Sequence, residues 1–311
     1  MNKLFIIGNG FDIAHKIPSR YEDFRLYLIS LLNQIDIKYT PSYDYTDSSI
    51  ITTDYESNEE NDILTIMYFL SNAEQLIEWN NVEKSVGELN YDEFSWIYRN
   101  ESENDKEYKA NLINEDTFLP YAEVLESIPN YFSSWIKQLK IDDYKKNVKS
   151  ELVSLFSDYT KFLCFNYTDT LECLYNVNPK NICYIHGKAK NDKLYFGHGN
   201  KKTYDDFLGM QNDNWLSVAE GYDSVNEILH KPVKKIIKQN SKFFESICDV
   251  DEVYSYGFSY NQVDEPYVSE LVSRISKNAK WKLHSYPSED EKRRYKTVVL
   301  KCGYKNLIEE F

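Results

Sequence analysis

At several points a polar or glycine residue follows directly on an apolar run: Gly8-Asn9-Gly10, Asn166, His186-Gly187, Gly197-His198-Gly199 and Gly257-Phe258-Ser259. Histidine exchanges a proton near neutral pH. His186 stands where a strand-like run ends, and Gly187 lets a ligand approach, so His186 is the first catalytic candidate. The plainer alternative is a histidine that bonds backbone groups at a strand end. Asn166 carries an amide donor and a carbonyl acceptor, suited to orienting a water or a ribose hydroxyl. It also reads as a polar strand exit, with Thr168 or Asp169 capping the next helix.

The glycines suggest a second function. Gly8 and Gly10 close a turn with no side-chain bulk, where backbone N–H groups can approach a phosphate. The third glycine of the dinucleotide fingerprint is missing, since position 13 is Ile. Gly8, Asn9, Gly10 and Asp12 are the cofactor-side candidates here, with Asp12 placed for a ribose, for loop support or for helix capping. Gly187, His198, Gly257, Ser259 and Asp264 are the candidates at the other turns. His198, between two glycines, suits a phosphate contact or a loop. Asp264 precedes Pro266 and suits a helix cap or an adenosine-side hydrogen bond.

Several chemistries lack their residues. No His-x-x-x-His or paired-cysteine spacing is present, so no metal is expected. Gly-x-Ser-x-Gly is absent, and so is the Gly-Lys-Ser/Thr of a phosphate-binding kinase-type loop. The five cysteines, an odd number, read as structural thiols. With 50 acidic against 36 basic residues the formal charge is −14, which disfavours nucleic-acid backbones and anionic membranes. No signal peptide is visible and no apolar stretch approaches the ~18 residues of a membrane span, so a cytoplasmic protein is expected. The 27 Tyr and 16 Phe read as half-buried packing rather than a base-stacking platform.

The elements that must position these residues alternate. Strands are expected at 3–7, 162–165, 181–185, 194–196, 253–256 and 281–286. Helices are expected at 19–32, 63–77, 79–89, 118–139 with a break near Pro129, 144–159, 168–175, 220–245, 265–277 and 289–301. Ser19 and Glu22 have capping-box spacing at the first of these. Short apolar strands alternating with helices predict an α/β fold, a Rossmann-like parallel sheet with a large helical insertion. Residues 1–34 and 160–311 would form the nucleotide-binding domain and 35–159 the insertion. In such a sheet the crevice lies beyond the C-terminal strand ends, where the polar exits converge. Polar stretches at 36–62 and 99–112 are candidate lids or contact surfaces, and apolar faces left over on the insertion predict a homo-oligomer.

The chain resembles the AbiH-like family of bacterial abortive-infection proteins. The resemblance rests on Leu4–Asp12, Ile17–Phe24, Trp79–Glu83, Phe165–Glu172, Ile185–Gly187, Gly197–Gly199 and Tyr256–Asp264. The order of these motifs is also similar, more distantly, to SIR2-like (sirtuin-like) NAD-binding domains of antiviral defence. That resemblance implies NAD as substrate or ligand, with Gly8, Gly10 and Asp12 at the cofactor. Asn166 and His186 would be at the reaction, and the Gly257–Ser259 turn would hold another part of the dinucleotide. It implies a hydrolase that cuts the N-glycosidic bond of NAD, answering to a phage-derived activator. Phe11 replaces a small residue there, so it must point into the core. A non-catalytic nucleotide-sensing module and a nucleic-acid hydrolase are the alternatives.

Overall fold

The structure, a computed structural model, describes residues 2–50, 58–74, 79, 82–88, 120–190, 193–208 and 216–311. The expected charged zone 99–112, residues 51–57 and 75–77, Leu89 and Phe118 lie outside the described residues. Contacts divide the chain into two compact units. One comprises Met1–Arg20, Ser133–Tyr195 and Pro232–Phe311; the other comprises Tyr21–Phe132 and Phe196–Lys231.

The first unit is built on a six-stranded sheet. Its strands are β1 (Lys3–Ile7), β2 (Lys161–Cys164), β3 (Ile182–Tyr184), β4 (Glu252–Tyr256), β5 (Lys280–Leu283) and β6 (Ile308–Glu310). The order is β3-β2-β1-β4-β5-β6 and every pairing is parallel. Parallel strands are covered on both faces, which is why β1 is a continuous apolar run with Leu4, Phe5, Ile6 and Ile7 all buried. Alternate residues serve opposite faces. Leu4, Ile6, Leu163, Val253 and Trp281 meet Ile236, Phe244, Tyr267 and Val299 from helices on one side. Phe5, Ile7, Phe162, Tyr254 and Tyr256 meet Phe11, Leu152 and Leu171 on the other. Phe11 thus points into the core, as an open turn requires.

The chain leaves β1 towards β2 and returns at β4, so the strand order reverses between β1 and β4. That is the switch point at which open α/β sheets place their crevice. The loops leaving these two strands meet backbone to backbone. Gly8 N–H donates to Tyr256 O at 3.1 Å, and Gly10 N–H donates to Gly257 O at 2.9 Å. Gly257 has φ 65, and a Cβ added to it would lie 2.2 Å from Phe11 N. No other residue fits there.

The second unit is helical over Tyr21–Ile35, Glu59–Glu74, Val82–Ser85, 120–126, Tyr204–Leu208 and Leu216–Ile228. Phe24 packs on Trp79 and Phe132 with ring centroids 6.1 and 5.1 Å apart. Buried Arg25 is held by Glu22 through two 2.9 Å bonds.

Several expected elements differ. The helix at 144–159 is a 3-10 turn, Ile141–Asn147, followed by a short helix, Ser150–Leu155. Extended Val148 separates them, while Asn147 Nδ2 donates to His15 O and Lys149 N–H to Tyr175 Oη. Those tertiary bonds replace a helical ladder. The run 194–196 is no strand, because Phe196 packs on Phe132 at 5.3 Å and does not pair along a sheet. The helix at 220–245 is three pieces, interrupted at Pro232 and Asn240. The break expected near Pro129 is present: one helix ends at 126, and Pro129 occupies the first turn of the next, Ile128–Gln138, where proline is tolerated. Ser19 Oγ donates to Asn9 Oδ1 in place of the expected capping box. β6 and the helix Asn9–Ala14 are present in addition to the expected elements.

Gly257→Ala is expected to cost on the order of 3 kcal/mol through left-handed strain and the clash with the first turn. Urea denaturation checks this, and wild-type stability in the variant would contradict the close approach.

Candidate functional site

Because every strand runs the same way, the exits of β1, β2, β3 and β4 share one edge of the sheet. The helix Asn9–Ala14 follows β1 after a single residue and sets Asp12 at that edge. The β2 exit carries Asn166, Thr168 and Asp169, the β3 exit His186, and the β4 exit Gly257, Ser259 and Asp264.

Asp12 is fully buried, with 0% of its surface exposed. Thr170 Oγ1 donates to Thr168 Oγ1 at 3.1 Å, and Thr168 Oγ1 donates to Asp12 Oδ2 at 2.5 Å. Asp12 Oδ1 has no hydrogen-bond partner among the described residues. Burial pushes the carboxyl up to about 6, against the opposing effects of Thr168, Thr170 and Asn166; the charge of Asp169 adds to the rise. Asn166 is 5% exposed, and neither its Nδ2 nor its Oδ1 meets hydrogen-bond geometry with a described residue. Both side chains are thus buried with polar atoms that lack described partners, near enough for Asn166 to act on the Asp12 carboxyl.

His186 lies in an aromatic setting. Its ring is edge-to-face with Phe165 and Tyr267 at 5.3 and 5.6 Å and tilted on Tyr167 at 6.1 Å. Its Nε2 is 3.9 Å from Asp264 Oδ1, close enough for an ion pair when the imidazole is protonated. Asp264 makes no side-chain cap bond to the helix Glu265–Arg274, so the capping alternative does not describe it. Gly187, φ 86, turns the chain away, and its N–H donates to Tyr184 O.

The remaining candidates have structural partners. The Gly8 and Gly10 N–H groups are spent on the β4 loop. Asn9 uses its side chain on Ser19, donating to its carbonyl at 2.8 Å and accepting from its hydroxyl at 2.7 Å. The Ser259 carbonyl accepts from Arg294. His15, which stood beside the first glycine turn in the sequence, is buried and satisfied. Its Nδ1 is 2.7 Å from Phe11 O and its Nε2 2.5 Å from Tyr175 Oη. Tyr175 Oη accepts the Lys149 N–H, so its proton goes to His15 Nε2 and Nδ1 carries the other hydrogen. His198 belongs to the other unit. There Lys231 is paired with Glu83 at 2.9 Å, and burial pushes the His198 imidazole down to about 4.

Thr168 and Thr170 join the site through the hydroxyl path to Asp12. The helix expected at 168–175 runs Thr170–Tyr175, but neither expected cap acts through its side chain: Thr168 serves Asp12, and Asp169 binds Lys190 at 2.7 Å and makes no side-chain cap bond. The alternation of threonines at 168 and 170 was the available signal. Among the described residues no three His, Cys, Asp or Glu side chains gather as a metal site requires, and no helix is long and apolar enough to cross a membrane.

A family model described as bacteriophage abortive infection AbiH matches residues 4–285. No curated protein and no solved structure matches the chain.

Asp12 gives a signed pH dependence. A carboxyl whose folded pKa lies above its unfolded value binds more protons when folded, so its contribution is present at low pH and lost as pH rises from about 4 through about 6. Asp12→Asn is neutral throughout. Its stability relative to wild type should therefore rise between pH 4 and 7, by on the order of 2–3 kcal/mol. Denaturation midpoints for both proteins across that range check it, and a constant difference would contradict the buried carboxyl.

Proposed function

The chain belongs to the AbiH family of bacteriophage abortive-infection proteins, and from that premise we propose that its sheet-bearing unit takes NAD as substrate and hydrolyses the N-glycosidic bond. The observation that carries this reading is the Asn166 amide, buried beside Asp12 at the C-terminal edge of a parallel sheet and lacking a described partner. Buried polar atoms nearly always find partners. A sugar hydroxyl or a water is the kind of group that would supply one. The similarity of motif order to SIR2-like domains supports the same reading.

In this proposal Asn166 orients the ribose or the attacking water. The bond from ribose C1′ to the pyridinium nitrogen breaks, and its electron pair goes to the nitrogen, quenching the positive charge. The water oxygen bonds to the oxocarbenium-like C1′, and its proton passes to His186. Asp264 faces the imidazolium so formed and stabilises it. Nicotinamide and ADP-ribose leave, and the proton returns to solvent. An NAD-consuming enzyme needs a gate, so self-association into a homo-oligomer or a phage-derived activator belongs to the same proposal.

Incubation with NAD, with and without phage lysate, followed by chromatography should yield nicotinamide and ADP-ribose. His186→Ala should lower the rate by about 10²–10⁴-fold with the fold retained. NAD left intact in every arm would overturn the assignment. NAD binding without turnover, equal in wild type and His186→Ala, would instead indicate a nucleotide sensor.

A further inference from the structure

Asp12 and Asn166 constrain each other. A carboxylate only accepts hydrogen bonds, whereas an amide has two donors on nitrogen and an acceptor oxygen. Thr168, itself receiving the Thr170 hydroxyl, already donates to Asp12 Oδ2. Oδ1 is left without a donor, although the neighbouring Asn166 side chain favours the carboxylate form. An amide that turned its oxygen towards Oδ1 would set two acceptors against each other, so the nitrogen must face Asp12.

We propose that Asp12 is a positioning residue. It fixes the Asn166 amide with Nδ2 towards its own Oδ1, so that Asn166 Oδ1 is left to accept from a ribose-type hydroxyl rather than meet a phosphate oxygen. This rests on the nucleotide reading above and gives it a polarity: the site takes a hydrogen-bond donor. A phosphate, which only accepts, would oppose both the amide oxygen and the carboxylate. Recognition is also tied to the protonation of Asp12, because a protonated carboxyl no longer dictates which way the amide turns. The other titratable groups coupled to Asp12 come from β2 and its exit. Asp169 is paired with Lys190, and the Cys164 thiol is held neutral by burial, reinforced by the charge of Asp12.

Two measurements on the full chain separate this inference from the reading it rests on. The first follows the Asn166 side-chain NH₂ signals by ¹⁵N NMR from pH 4.5 to 8, assigned through Asn166→Asp. They should titrate with a midpoint near 6 in wild type and stay flat in Asp12→Asn. The second is calorimetric binding of ADP-ribose and of an analogue lacking one hydroxyl on the ribose distal to adenine. Wild type should bind ADP-ribose about tenfold more weakly at pH 5 than at pH 7, and Asp12→Asn weakly at both. The deoxy analogue should lose about tenfold. Thr168→Val, which removes the donor to Oδ2, should displace the NMR midpoint, so the test stands if Asp12→Asn fails to fold.

Signals that do not titrate, or ADP-ribose binding unchanged in Asp12→Asn, would overturn the positioning role. Equal affinity for ADP-ribose and the analogue would overturn the donor polarity and leave a buried water as the partner of Asn166. Titrating signals with no ADP-ribose bound at any pH would support the positioning and defeat the nucleotide reading.

Discussion

The backbone-to-backbone contact between the loops leaving β1 and β4 is the constraint on which the rest depends. At the switch point of an open sheet two neighbouring strands send their chains in opposite directions, which ordinarily opens a cleft. Here Gly8 and Gly10 let the two loops close to hydrogen-bonding distance, and Gly257 answers with a left-handed turn. The contact starts the helix Asn9–Ala14 directly at the sheet edge. That fixes Phe11 in the core and Asp12 against the β2 exit. Glycine after β1 thus serves close approach of main chains, a requirement as strict as the phosphate cradle with which it shares a sequence signature.

Removing a carboxyl from water is costly, and the cost remains unless donors surround the charge. Asp12 receives one hydroxyl and lies beside an amide, which offsets desolvation only in part and holds its titration near neutrality. Such a group is expensive for a purely structural role, since an apolar side chain would fill the space at less cost. His186 is arranged differently: aromatic rings set the plane of the imidazole and Asp264 stands 3.9 Å from its Nε2. One pair supplies a fixed polarity and the other a place for a proton.

The fold was legible where burial leaves continuous apolar runs. β1, β2, β3 and β4 announce themselves this way, and Asn166, His186 and Gly257 follow the last three of them. What failed has a common physical origin. Leu194–Phe196 is as apolar as a strand, yet the buried Phe196 ring packs on Phe132 and the backbone does not join the sheet. The amphipathic pattern at 144–159 is real, but bonds to His15 and Tyr175 from distant segments override it. The residue types gathered at the strand exits were legible, and their pairings only partly. The hydroxyl path runs locally from Thr170 to Thr168, but its last step to Asp12 spans 156 positions, which no local spacing encodes.

The central claim, that the Asp12–Asn166 pair receives a ribose hydroxyl, is tested most directly by a crystal structure of the protein with ADP-ribose. A ribose hydroxyl is expected within about 3.2 Å of Asn166 Oδ1, with the amide nitrogen towards Asp12 and His186 on the side of C1′. A phosphate against Asn166, or a nucleotide bound away from the exits of β1 and β2, would contradict the account.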